Sequence, residues 1–260
     1  VIKTEESTPR VDRHTQITLN TVAIDNVAMP DALSIITDAV VHGKELAVYF
    51  VNADCINISA SNPEYLHVLK SANTLVLADG IGIRIAGKLS GQPIVDNVNG
   101  TDLFPLLCQR SIALGQSIYL LGAAPEVAAE VEAKMVALYP GLRIAGTHHG
   151  FFPHDNCNHV IRKINASGAD ILLVAFGAPR QEQWIYDYSD QLTPRVRIGV
   201  GGLFDFFSGR MRRAPMWMRK LSVEWVWRLC MEPRRMWRRY LVGNFIFLAR
   251  IIWWQVKKHR

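Results

Sequence analysis

The chain has 260 residues, enough to bury one substantial core, or one core with an appendage. A hydrophobic fraction of 49% and 18 glycines suit a globular α/β protein and exclude a disordered one. Cys55, Cys108, Cys157 and Cys230 form no CxxC pair, so neither a zinc module nor a disulfide framework is indicated, and a reducing, cytoplasmic setting fits. The net charge of +6 conceals a division. Residues 209–260 hold 14 Lys/Arg against only Glu224 and Glu232, with six of the seven tryptophans, whereas residues 1–208 carry more acid than base. Such a break marks a functionally separate segment.

In chain order, residues 1–18 are polar, lack the apolar stretch of a secretory signal and read as a mobile N-terminal arm. Apolar runs at 46–53, 74–80, 117–123, 142–150, 171–177 and 197–202 read as strands. Residues 126–138 and 156–167 carry helical spacing between them, and Pro140 and Gly141 end the first of these. The strand runs are apolar almost throughout, as expected of a sheet covered by helices on both faces. The expectation is an α/β, Rossmann-like catalytic domain over 19–208, with ligands at the carboxyl ends of the strands. A basic, Trp-rich helical appendage follows over 209–260.

Three segments before the tail carry candidate chemistry. In ADGIGIRIAG, Gly80, Gly82 and Gly87 follow a strand, but the spacing is not GxGxxG and no acidic residue ends a following strand as a dinucleotide site needs. Asp79, at a strand end before a flexible glycine, is either a general base or a helix cap. Residues 148–159 gather four histidines with Asp155 and Cys157; their spacings match no standard metal site, and an irregular surface loop is the expectation. AFGAPRQEQWI (175–185) opens a helix after a strand. Its N–H groups suit a diphosphate, with Gln181 and Glu182 placed to contact a nucleotide, or else the segment is a capping turn with Trp184 in the core.

The tail arginines could grip nucleic acid, face anionic lipid, or form a solvated helix face. YLVGNFIFLARIIWW (240–254) is short for a membrane span and contains Arg250. Its bulky, contiguous apolar residues suit a helix lying in the interface, with Trp237, Trp253 and Trp254 as membrane contacts, so lipid is favoured and no nucleic acid is expected. An exposed apolar tail also implies self-association into a homo-oligomer away from membrane.

Several motifs converge on one resemblance. VNAD (51–54), ADGIGI (78–83), VNGTDLF (98–104), YLLGAAPEV (119–127), FGAPRQEQW (176–184), GVGGLFDFFSGRMRRAP (199–215) and EWVWRLCMEPRRMWRRY (224–240) resemble the WecG/TagA/CpsF family of bacterial glycosyltransferases. The resemblance implies an inverting, metal-independent transfer from a UDP-sugar to a polyprenyl-diphosphate-linked sugar, with no cofactor, at the cytoplasmic face of the inner membrane. It makes Asp79 the general base, puts Gln181 in the catalytic pocket, and gives Arg228, Arg235 and Arg238 the diphosphates. Asn52, Asp54, Gly80, Asn97, Gly122 and Glu182 then fall at the substrate site. Many members have Arg where this chain has Asn97. The NVNGTDLF variant looks more like the exopolysaccharide branch, such as the xanthan-type β-1,4-glucosyltransferase, which implies a glucosyl donor. The alternatives are transfer of N-acetylmannosamine or its uronic acid to a GlcNAc-diphosphate-lipid, and a nucleotide-binding scaffold without chemistry.

Overall fold

The computed structural model describes residues 15–220 and 224–258, with the backbone alone for residues 219, 220, 235, 239, 240 and 258. The strands are β1 (Gln16–Leu19), β2 (Val22–Asp25), β3 (Leu46–Val51), β4 (Thr74–Ala78), β5 (Ser117–Gly122), β6 (Arg143–His148), β7 (Ile171–Ala175) and β8 (Val196–Gly199). They form one sheet in the order β1-β2-β4-β3-β8-β7-β5-β6. Among the described residues only the β1–β2 pair is antiparallel, and the other pairings are parallel.

The helices of the core are α1 (Met29–Val41), α2 (Ala53–Ser61), α3 (Pro63–Lys70), α4 (Ile81–Leu89), α5 (Gly100–Leu114), α6 (Val127–Leu138), α7 (Asn158–Ala166), α8 (Arg180–Asp187) and α9 (Leu203–Phe207). Both faces of the sheet are covered. Tyr49, Val51, Val76, Leu121 and Val174 pack with the helices of one face, among them α2, α3, α7 and α8. Val48, Leu77, Leu120, Leu173 and Ile198 pack with α1, α5, α6 and α9 on the other. Alternation along each strand divides the apolar runs between the two layers, and every residue of β5 and β7 is buried. The α/β sheet expected from the sequence is present.

Part of the expected arm is structure. Residues 1–14 lie outside the described residues, but Gln16–Leu19 is the edge strand of the sheet, with Ile17 and Leu19 buried. Asn20 turns the hairpin at φ +58°, a conformation its short polar side chain tolerates. The buried Asp25 fastens it, accepting from Gln16 Nε2 and from the backbone N–H of Val76, each at 2.8 Å.

The C-terminal segment folds as α10 (Met216–Lys220), α11 (Glu224–Met231), α12 (Pro233–Trp237), a π-helical turn (Arg238–Val242) and α13 (Gly243–Lys258). The last helix packs against α2 and α4. Its Phe247 and Ile251 are fully buried members of the same core as the sheet, so the C-terminal appendage helps to build that core. The opposite face of α13 leaves Phe245, Ile246, Ile252, Trp253 and Val256 exposed. Among the described residues no helix is long and apolar enough to cross a membrane.

Candidate active site

The carboxyl ends of β3 and β4 open into a cavity of about 190 Å³. Asn52 directly follows β3 and caps α2, its Oδ1 accepting from the N–H groups of Asp54 and Cys55 at 3.1 and 3.2 Å. Asp79 directly follows β4, and its own N–H donates to Val51 O. The N-cap position of α4 is Gly80, at φ +93°, directly after Asp79. The Gly80 N–H donates to Asn97 Oδ1 at 2.6 Å. The neutral side chain at position 97 thus holds the loop that carries Asp79.

Asn52, Asp54, Asp79, Gly80 and Asn97 all line this cavity, and Arg228 reaches it from α11. The Arg228 guanidinium lies over the Phe206 ring, 5.2 Å from its centroid, a favourable cation–π placement. A Cβ on Gly202 would fall 2.8 Å from Arg228 Nη2, so glycine there leaves room for the arginine. The helix carrying Arg228 is clasped to the core by Arg213. That guanidinium pairs with Asp102 at 2.5 Å and approaches Glu224, the first residue of α11, at 3.6 Å. Asp102 is itself held by the α5 cap Asn99, which donates Nδ2–H to its carboxylate and accepts its N–H.

A second cavity of about 730 Å³ lies at the ends of β5, β6, β7 and β8. It is lined by Ala123, Gly150, Phe176, Gly177, Gly201 and Gly202, among others, and adjoins the first where Gly202 meets Arg228. The histidine-rich loop contributes His154, whose ring stacks on Phe176 at 4.4 Å. His148 packs on His149 and Phe152. Among the described residues no three His, Cys, Asp or Glu side chains gather as a metal site would require.

Several residues expected at the site lie elsewhere. Gln181 and Glu182 sit in the first turn of α8 on its buried side and line neither cavity. Burial pushes the Glu182 carboxyl up to about 7. Gly122, at φ +129°, packs under the second cavity, where a Cβ would meet Ala175 O at 2.6 Å. Arg238 is exposed, its guanidinium over the neighbouring Trp237 ring, and lines neither cavity. The Arg235 side chain lies outside the described residues. Of the residues expected at the membrane, Trp237 and Trp253 are exposed and Trp254 is half-buried. Asn99, Asp102, Glu224, Trp225 and Asn244 line the first cavity although sequence reasoning did not single them out. The Asn-x-x-Asp spacing of a capped helix start at 99–102 was the signal that could have found the first two.

The site therefore joins a carboxylate at a strand end, an arginine from a C-terminal helix, and a roomy glycine-lined cleft beside them. Residues 17–260 match the sequence model of the glycosyl transferase WecG/TagA/CpsF family. The chain is 38% identical over 180 residues, 69% of its length and 68% of the relative's, to the N-acetylglucosaminyldiphosphoundecaprenol N-acetyl-beta-D-mannosaminyltransferase of Bacillus spizizenii (strain ATCC 23059 / NRRL B-14472 / W23). It is 35% identical over 191 residues, 74% of its length and 73% of the relative's, to the protein of the same name from Bacillus subtilis (strain 168). This chain belongs to the WecG/TagA/CpsF family of glycosyltransferases.

Proposed function

We propose that this protein transfers an N-acetylmannosaminyl group from a UDP-sugar to the sugar of an N-acetylglucosaminyl-diphosphate-polyprenol. Both relatives are named for that acceptor and that transferred sugar. The glucosyl donor expected from NVNGTDLF finds no support in them, and the N-acetylmannosamine alternative replaces it. The observation that carries the reading is the meeting of Asp79 and Arg228 in one cavity at the strand ends.

In the proposed step the Asp79 carboxylate takes the proton of the acceptor hydroxyl as that oxygen bonds to the anomeric carbon. The bond from that carbon to the UDP oxygen breaks, and UDP leaves with the electron pair. Attack from the face opposite the leaving group inverts the anomeric configuration. The developing charge falls to Arg228, whose planar fork matches a phosphate, and to backbone N–H groups at the strand ends; the reading assigns no step to a metal ion. The adjoining cavity offers room for the nucleotide, and the His154–Phe176 stack offers a base an aromatic face.

On this reading the reaction takes place at the cytoplasmic face of a membrane, where a UDP-sugar and the lipid acceptor meet. The outward face of α13, with Phe245 and Trp253 exposed and Lys257 over the Trp253 ring at 5.2 Å, suits the headgroup boundary of an anionic bilayer. The test is a screen of UDP-N-acetylmannosamine, its uronic acid, UDP-N-acetylglucosamine and UDP-glucose against a short-chain GlcNAc-diphosphate-lipid. Labelled disaccharide-lipid from UDP-N-acetylmannosamine is expected. Product from UDP-glucose and none from UDP-N-acetylmannosamine overturns the reading.

A further inference from the structure

Two strand-exit loops that line the larger cavity are joined by one side chain. Gln181 Oε1 accepts the N–H of Gly177, in the loop after β7, at 3.1 Å, and the N–H of Gly201, in the loop after β8, at 2.8 Å. Both glycines have positive φ, +78° and +56°, a region glycine adopts with the least strain. Both loops are therefore short, glycine-dependent turns that need an external tie to hold one geometry.

The amide of Gln181 has two chemically different ends, and only one of them can serve. With its oxygen toward the glycines it accepts two N–H groups; flipped, it would set an NH₂ against two donors. Glu182 anchors the other end: Gln181 Nε2 donates to Glu182 Oε1 at 2.8 Å, and both side chains are buried. The second oxygen, Oε2, is buried without a hydrogen-bond partner. Space for the arrangement comes from Gly199, where a Cβ would lie 2.9 Å from Gln181 Nε2.

We infer that Glu182 is a positioning residue: by anchoring the Nε2 end of the Gln181 amide it holds the Gly177 and Gly201 loops in the geometry that receives the donor nucleotide. The inference rests on the proposed function for the identity of the ligand, but not for the strut itself. It predicts a loss in binding rather than in chemistry, because the strut acts on the donor's cleft and not on the proton transfer. Removing a hydrogen bond to a carboxyl corresponds to about tenfold in binding.

The experiment compares five variants of the 260-residue chain by donor KM, kcat and peptide-resolved amide exchange over the two loops. Glu182→Leu removes the acceptor, Glu182→Gln keeps one, and Gly199→Ala pushes Gln181 from the other side. Gln181→Glu faces two carboxyls, whereas the exchange Q181E/E182Q rebuilds the strut in reverse, with a carboxylate receiving the glycine amides and an amide donating to it. Glu182→Leu, Gly199→Ala and Gln181→Glu are expected to raise KM about tenfold, to leave kcat within threefold, and to speed exchange in both loops. Glu182→Gln and the reciprocal exchange are expected to stay within threefold of the parent. A reciprocal exchange as impaired as Gln181→Glu alone overturns the strut, as does unchanged loop exchange in Glu182→Leu and Gly199→Ala. Should Glu182→Leu not fold, Glu182→Gln and the reciprocal exchange decide the matter. A parent protein that transfers no sugar would refute the proposed function, and the exchange data would still judge the strut.

Discussion

Replacing Phe247 by Ala tests whether the C-terminal helix belongs to the core. Phe247 is 1% exposed and packs among the side chains of the sheet face that also holds α2 and α4. Its ring edge lies 3.6 Å from where a Cβ on Gly82 would stand. Burying a phenylalanine removes about 150–250 Å² from water, and truncation to Ala in a well-packed site costs about 3–5 kcal/mol. For a chain of this size that corresponds to a fall in melting temperature of roughly 6–20 °C. The matched control is Phe245→Ala, two residues away on the same helix but 76% exposed, where a change within about 0.5 kcal/mol is expected. Both are measured by thermal unfolding followed by circular dichroism, without membrane or lipid. If the two variants melt together, α13 is not seated on the core as described, and the reasoning fails.

Other outcomes follow from the same geometry. Arg228→Ala should lower kcat by about 10²–10³-fold, the effect of removing one donor to developing charge, while the melting temperature stays near the parent's; a kcat within threefold removes Arg228 from the reaction. The paired change Phe245→Ser and Trp253→Ser should abolish co-sedimentation with anionic vesicles and leave the melting temperature unchanged. Retained binding would move the membrane contact off α13. For Glu182, burial raises the folded-state pKa to about 7 from an ordinary 4.5, so the folded protein holds the proton more tightly than the unfolded chain. Stability should therefore fall as pH rises from about 4.5 to 7, by about 3 kcal/mol, and Glu182→Gln should flatten that slope in denaturant unfolding series. An unchanged slope in the variant contradicts the buried, proton-binding carboxyl.

The parallel strands were legible because burial on both faces forces almost unbroken apolar runs, as in SIYLLG (117–122) and ILLVA (171–175). The β1–β2 hairpin was not, because each strand has only four residues and its tie is the long-range pairing of Asp25 with β4. Asp79 stood out in the sequence because strand ends bind ligands in this architecture, whereas Asn52 followed only from the family resemblance; both line the first cavity. Glu182 was misplaced for an opposite reason. A charged residue in the first turn of a helix ordinarily faces water or a ligand, and only the packing of α8 on the sheet turns this one inward. The last helix is apolar around most of its circumference, so its sequence suggests an interface. Period alone could not say that Phe247 and Ile251 meet the core while Phe245 and Trp253 face outward. The clasp through Arg213 joins residues 102, 213 and 224, a separation that no local pattern reveals.

In the proposed mechanism Asp79 is the base of a sugar transfer to a lipid-linked diphosphate acceptor. The most direct measurement compares the parent with Asp79→Asn under saturating UDP-N-acetylmannosamine and GlcNAc-diphosphate-lipid, following labelled lipid product and, separately, UDP affinity. Loss of a general base predicts a fall in kcat of about 10²–10⁴-fold with UDP affinity within threefold of the parent's. A variant that makes product at the parent's rate contradicts this mechanism, because the Asp79 carboxylate would then take no proton.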